Sequence, residues 1–213
     1  MQFVQRRQDA TVGSTPVTPQ DRKEQIVDAA RVLFVRHGYR RNSMSDIAEQ
    51  AGIAKRTLYL HFQSKDAIFR AVLDGCQEVV RARARAAVDD TAAPLAERLA
   101  DLLYAYMGTA LEWFGDPTRL DELGHLVLAD PELFGDRIAC ERLMARAAEL
   151  LQRAVGGRPS KATIGSCKAR AEVAVLATVG ASRFHDATPE NLRSRVELIA
   201  RCACDGLGAQ VDT

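Results

Sequence analysis

Ser43-Met44-Ser45-Asp46-Ile47-Ala48-Glu49-Gln50-Ala51-Gly52-Ile53-Ala54-Lys55-Arg56-Thr57-Leu58-Tyr59-Leu60-His61-Phe62-Gln63-Ser64-Lys65 decides the fold. It reads as a helix, a glycine turn, a second helix and the capped start of a third. Met44, Ile47, Ala48 and Ala51 fall at i, i+3, i+4 and i+7, which gives one helix face a continuous apolar stripe. Gly52 follows, where a left-handed stop is wanted. The next helix has only Leu58 and Phe62, an i, i+4 pair, to bury. The rest of its surface carries Lys55, Arg56, Thr57, Tyr59 and His61. A short helix with a small core face and a cationic, hydroxyl-bearing outer face suits the major groove of DNA.

On the N-terminal side, Thr18-Pro19-Gln20-Asp21 opens a helix, with Thr18 as N-cap, Pro19 at N1 and Asp21 near the positive end of the helix dipole. Ile26, Ala29, Ala30, Leu33 and Phe34 line its apolar face, and Gly38 stops it. Ser43 and Asp46 form a capping-box pair for the following helix. Residues 1–17 are polar, include Gly13, Ser14 and Pro16, show no periodicity and read as a flexible arm.

On the C-terminal side, Ser64 caps a long helix that begins Lys65-Asp66-Ala67 and runs through Ile68, Val72, Cys76, Val79 and Val80 to about Val88. Helices are expected over 94–114, 118–128, 131–155 and 161–184. A last one is capped by Thr188-Pro189-Glu190-Asn191 and runs to about Leu207. There is no strand pattern and no repeat. The expected fold is all-α: three short N-terminal helices followed by a C-terminal helical bundle, about nine helices in total. The implied division is an arm at 1–17, a helix-turn-helix domain at 18–66 and a larger domain at 67–213.

The 213 residues are 47% apolar and 27% charged, as for a globular protein. No run of 18 apolar residues is present, and the N-terminus has no signal-peptide pattern, so a cytoplasmic protein is expected. The net charge of +1 hides an asymmetry. Residues 1–66 hold 11 Lys/Arg against 7 Asp/Glu, giving +4, and residues 67–213 hold 18 against 21, giving −3. Positive charge accompanies the helix-turn-helix, as phosphate binding requires. Cys76, Cys140, Cys167, Cys202 and Cys204 match no zinc or CxxC spacing. They read as small buried hydrophobes, with redox sensing by Cys202 and Cys204 as the sharper alternative.

Ile26 to Gly38-Tyr39, Ser43-x-x-x-Ile47-Ala48, Ala51-Gly52-Ile53, Thr57-Leu58-Tyr59-x-His61-Phe62 and Ser64-Lys65-Asp66 follow in order. In these features the chain resembles a TetR-family transcriptional regulator over about residues 20–70. The resemblance implies that Ser43 and Ser45 face DNA and that Lys55, Arg56 and Thr57 make base and phosphate contacts. It further implies that Tyr59 and His61 contact phosphate and that Lys65 clamps one from the next helix. Ala54 departs from the family's usual capping residue, a loss of about 1 kcal/mol. Helical geometry places Leu60 outward, where contact with a thymine methyl gives an exposed leucine a purpose.

In the larger domain Tyr104, Met107, Trp113, Phe114, Phe134 and Met144 are the bulky residues of the middle helices. Such a stripe builds either a core or a pocket. The resemblance implies a ligand cavity between these helices, so these six are the candidate lining. His125, i+3 from Glu122 on one short helix, joins them as a polar group able to orient a ligand. Small side chains over 161–184, including Ala174, Ala177 and Ala181, stand beside a last-helix stripe containing Val196, Ile199 and Ala203. They form either internal core or an intersubunit four-helix bundle; the resemblance implies the bundle.

The reading is a homodimeric, ligand-responsive regulator, a repressor that binds a palindromic double-stranded operator and is released by a small-molecule effector. The alternative is a DNA-bound adaptor that recruits a protein partner without such a ligand. No metal-ligand spacing, G-x-S-x-G or phosphate loop occurs, so no enzyme, cofactor, metal or membrane association is expected.

Overall fold

A computed structural model describes residues 18–115, 117, 118, 122, 138–156 and 158–207. Among the described residues there are eight helices and no strands: α1 (Pro19–His37), α2 (Met44–Gln50), α3 (Lys55–His61), α4 (Lys65–Asp89), α5 (Leu95–Phe114), α6 (Ile138–Val155), α7 (Lys161–Ser182) and α8 (Pro189–Cys204). The expected arm at 1–17, most of the helix expected at 118–128 and the start of the one expected at 131 lie outside the described residues. No helix among those described is long and apolar enough to cross a membrane.

The helix starts follow the local chemistry. Thr18 accepts from the Asp21 amide while Asp21 accepts from the Thr18 amide at 2.9 Å. Ser43 with Asp46, and Thr188 with Asn191, form the same reciprocal box. Ser64 Oγ accepts from the Ala67 amide at 3.1 Å. Gly38 and Gly52, at φ +79 and +65, end the turns that need a left-handed residue. Helix C-termini are also closed from a distance. Arg98 donates to the carbonyls of Ala87 and Val88 at the end of α4. Arg170 donates to those of Ala203 and Asp205 at the end of α8.

Burial divides into two cores. The head core joins Ile26, Ala30, Leu33 and Phe34 of α1 to Ile47, Ala48 and Leu58, and continues into Ile68, Phe69, Val72 and Cys76 of α4. It therefore runs past residue 66, the expected domain edge. Phe69, absent from the apolar stripe expected for this helix, is fully buried and meets Phe34 edge-on at 5.5 Å between ring centres. The body core begins at Ala84 on the same helix and gathers α5, α6, α7 and α8 around Leu99, Leu102, Leu103, Leu143, Leu151, Val175 and Val196. The helix α4 thus belongs to both cores and links them mechanically.

A second link comes from the end of α5. Phe114 is buried in the head core and Trp113 packs against it. The guanidinium of Arg31 on α1 stands 5.3 Å from the centre of the Trp113 ring. A Cβ added at Gly75 of α4 would meet the Trp113 indole at 3.1 Å, so the glycine makes room for that ring. Arg83 of α4 donates to Thr109 Oγ1 at 2.9 Å and to Glu112 at 2.7 Å, both on α5.

Candidate nucleic-acid interface and its neighbours

The helix α3 is docked chiefly by one residue. Leu58 is fully buried, and Phe62, the residue after the last helical one, is half-buried against the head core. Lys55 and Arg56 are exposed, Thr57 and His61 half-buried, Tyr59 46% exposed and Leu60 77% exposed. Ala54 supplies no side-chain cap. Ser43 and Ser45 are exposed at the start of α2. Burial of Leu58 alone leaves α3 a continuous outer surface of cation, hydroxyl, ring and methyl groups, the mixture that reads base edges and phosphates.

Lys65 is half-buried. Its Nζ donates to the carbonyls of Tyr39 at 3.1 Å and Asn42 at 2.9 Å, and lies 4.3 Å from the centre of the Tyr39 ring. In this structure the ammonium expected on phosphate holds the turn between α1 and α2. Tyr39 donates in turn to the Asp66 carboxylate. Burial, and then that carboxylate, hold the Tyr39 phenol protonated well above its ordinary range. Asn42, buried, donates to the carbonyls of Gly38 at 2.6 Å and Leu33 at 3.2 Å. The Asp46 carboxyl is held below the usual carboxylate range, first by the Ser43 amide and then by its hydroxyl. Tyr39, Asn42 and Asp66 escape a reading by periodicity, because their bonds span 4 to 27 residues. The signal for Asn42 is an amide side chain placed between two helices.

The seven candidate lining residues of the body do not share one place. Trp113 and Phe114 belong to the head core, so they join the two cores instead of facing a cavity inside the body. Apolar rings at the end of α5 meet α1 and α4 first, because that end reaches the head. Tyr104, Met107 and Met144 pack on the body core, partly buried. His125 and Phe134 lie outside the described residues, and Glu122 is half-buried. A cleft of about 390 Å³ does open beside Tyr104, lined by Arg83, Asp101, Glu112 and Arg193 among others. Its chemistry is polar. Tyr104 Oη donates to Glu112 at 2.9 Å, and Arg193 pairs with Asp101 at 2.6 Å and Glu197 at 2.9 Å. Burial, and then the bond to Glu112, push the Tyr104 phenol up to about 12.

The candidate dimer residues also separate. Ala174, Ala181, Val196 and Ala203 are buried inside the single chain, where α7 and α8 pack on each other and on the body, so they are core residues of the protomer. Ile199 is half-buried and Ala177 exposed. The large apolar residues left in solvent nearby are Val173, Leu176, Phe184 and Leu198, each more than half exposed. The run Val173–Ser182, small or apolar at every position, does not announce which side is covered.

Of the five cysteines, Cys76 and Cys167 are buried as expected, and burial raises both thiols, Cys76 to about 12. Cys140 and Cys204 are half-buried, and Cys202 is exposed. No group of His, Cys, Asp and Glu among the described residues is arranged to hold a metal ion.

Comparison with known proteins agrees with this geometry. The family model for bacterial regulatory proteins of the tetR family matches residues 26–72, from the buried Ile26 to Val72 on α4. The HTH-type transcriptional repressor KstR2 of Mycobacterium tuberculosis is 39% identical over 84 residues, 39% of this chain and 42% of that protein. The HTH-type transcriptional regulator TtgR of Pseudomonas putida is 36% identical over 75 residues, 35% and 36% of the two. The chain thus spans about two fifths of the length of the curated relatives it matches. Among solved structures, the TetR-family regulator PfmR from Thermus thermophilus superposes with a TM-score of 0.60 at 23% identity, over 83% of this chain and 97% of that one. LfrR from Mycobacterium smegmatis, solved in complex with proflavine, superposes at 0.51 and 21% identity, over 89% and 98%. These two show a shared fold across head and body. Residues 26–72 thus match the model of the tetR family of bacterial regulatory proteins, and head and body together share the fold of solved regulators of that family.

Proposed function

We propose that the protein is a dimeric, ligand-responsive repressor that reads a palindromic operator with α2 and α3. The observation that carries this is the outer face of α3. Lys55, Arg56, Tyr59 and Leu60 are all exposed around a single buried anchor, Leu58. Lys55, Arg56 and Thr57 are assigned to bases and phosphates, Ser43, Ser45, Tyr59, His61 and Lys65 to phosphates, and Leu60 to a thymine methyl. Two heads then enter successive major grooves about 34–36 Å apart. Val173, Leu176, Phe184 and Leu198 supply an apolar surface for the second copy, next to Ala177 and Ile199.

The effector acts where the two cores are joined. A small molecule that competes for Arg83 or Arg193 in the polar cleft disturbs the Arg83–Glu112 tie between α4 and α5. Since α4 also carries Ile68 and Phe69 of the head core, its shift changes the separation of the two heads. The proflavine complex of LfrR supports a small-molecule effector for this fold. Such control needs a ligand that prefers one of two states, and the coupling is reciprocal.

The test is fluorescence anisotropy on a duplex selected from a random pool by the full chain, with and without a panel of small molecules. Binding that Lys55→Ala/Arg56→Ala abolishes supports the operator reading. A panel that leaves both Trp113 emission and DNA affinity unchanged removes the effector and leaves the adaptor role.

A further inference from the structure

Between α1 and α2 the chain turns at Arg40 and Arg41. Both side chains are exposed, and neither makes a hydrogen bond or ion pair among the described residues. Both guanidinium groups therefore carry their charge in solvent, where an anion can meet it.

The backbone on both sides of the pair is anchored by side chains. Before it, the Tyr39 ring packs against Phe34 at 5.5 Å and Phe69 at 4.7 Å, and its hydroxyl donates to Asp66. After it, the buried Asn42 donates to the carbonyls of Leu33 and Gly38. Across it, Lys65 Nζ bonds the carbonyls of Tyr39 and Asn42, bracketing the two arginines. Such bracing stabilises the head, and it also fixes where the turn presents its two charges. A partner then meets a turn in which little is left to order on binding.

The turn's position names the partner. It immediately precedes Ser43, the first residue of the head assigned to DNA, and it is held by Lys65, another. Guanidinium matches phosphate with paired, charge-assisted bonds. We propose that Arg40 and Arg41 are a phosphate clamp that grips the duplex backbone to one side of the base pairs read by α3, widening the footprint of each head. This rests on the operator reading above.

The test uses the full chain, the pool-selected duplex and a random-sequence duplex of equal length. Against wild type, Arg40→Ala/Arg41→Ala lowers the slope of log K on log salt by about 1.8, about 0.9 for each lost contact, and does so equally on both duplexes. Arg40→Lys/Arg41→Lys restores most of the slope. Trimming base pairs from the ends of the selected duplex weakens wild type before it weakens the alanine variant. Unchanged melting confirms that the variant is folded, as expected for exposed side chains. An unchanged slope in a wild type that still binds overturns the clamp while leaving the operator reading intact. A loss confined to the selected duplex overturns it in favour of base reading. A wild type that binds neither duplex sinks the operator reading itself.

Discussion

Trp113 of α5 and Gly75 of α4 lie so close that the smallest possible side chain at 75 would touch the indole at 3.1 Å. The contact is where the body meets the head, since Arg31 of α1 covers the same ring. Gly75→Ala gains about 0.5–1 kcal/mol of helix preference and loses a comparable amount by displacing the ring. Its melting temperature stays near that of wild type while the emission of Trp113 shifts. Gly75→Val adds bulk the joint does not hold and costs about 1–3 kcal/mol. Identical emission spectra for wild type and Gly75→Ala would dissolve the contact.

Lys65 holds the turn between α1 and α2. Its ammonium bonds two carbonyls and covers the Tyr39 ring, so Lys65→Ala loses about 1–2 kcal/mol of stability, read by urea unfolding. If the ammonium also meets a phosphate, the salt slope of DNA binding falls by about 0.9. A stability loss with an unchanged slope assigns Lys65 to the turn alone.

Leu176 and Ala174 stand two residues apart on α7 with opposite surroundings, 55% and 1% exposed. Leu176→Glu yields folded monomers. Ala174→Glu places a carboxylate in the protomer's own core and costs several kcal/mol, whatever the oligomeric state. Sedimentation and circular dichroism together separate the two. An intact dimer for Leu176→Glu moves the interface to another face.

Tyr104 couples the polar cleft to pH. Its phenol is raised from an ordinary value near 10 to about 12, by burial and then by Glu112. The folded state therefore holds the proton more tightly than the unfolded chain. The stabilisation is complete below pH 10 and is lost as pH rises from 10 to 12. Tyr104→Phe removes this dependence, so its stability falls less steeply than that of wild type between pH 9.5 and 11.5. Parallel curves would place the phenol in water.

Much of the head was legible before folding, because its signals are local. Thr18 with Asp21 and Ser43 with Asp46 act over three residues, Gly38 and Gly52 act on their own φ, and Leu58 against Lys55, Arg56 and Leu60 is a matter of helical period. The same local physics located Thr188 and Asn191 at the start of α8. These features are written in short-range sterics and hydrogen bonding, which hold in the chain before any tertiary contact exists.

What only the tertiary structure decided lies where partners are distant in sequence. Trp113 and Phe114 look like pocket lining as sequence, yet they pack on residues 31 to 75. From Val173 to Ser182 the helix α7 is small or apolar on all sides, so no period tells Ala174 from Ala177; packing of the body buries the first and leaves the second exposed. Arg83 finds Glu112 across 29 residues, and Lys65 finds Tyr39 and Asn42 across 26 and 23. Burial and long-range pairing are properties of an arrangement of helices, and they become visible once those helices are packed.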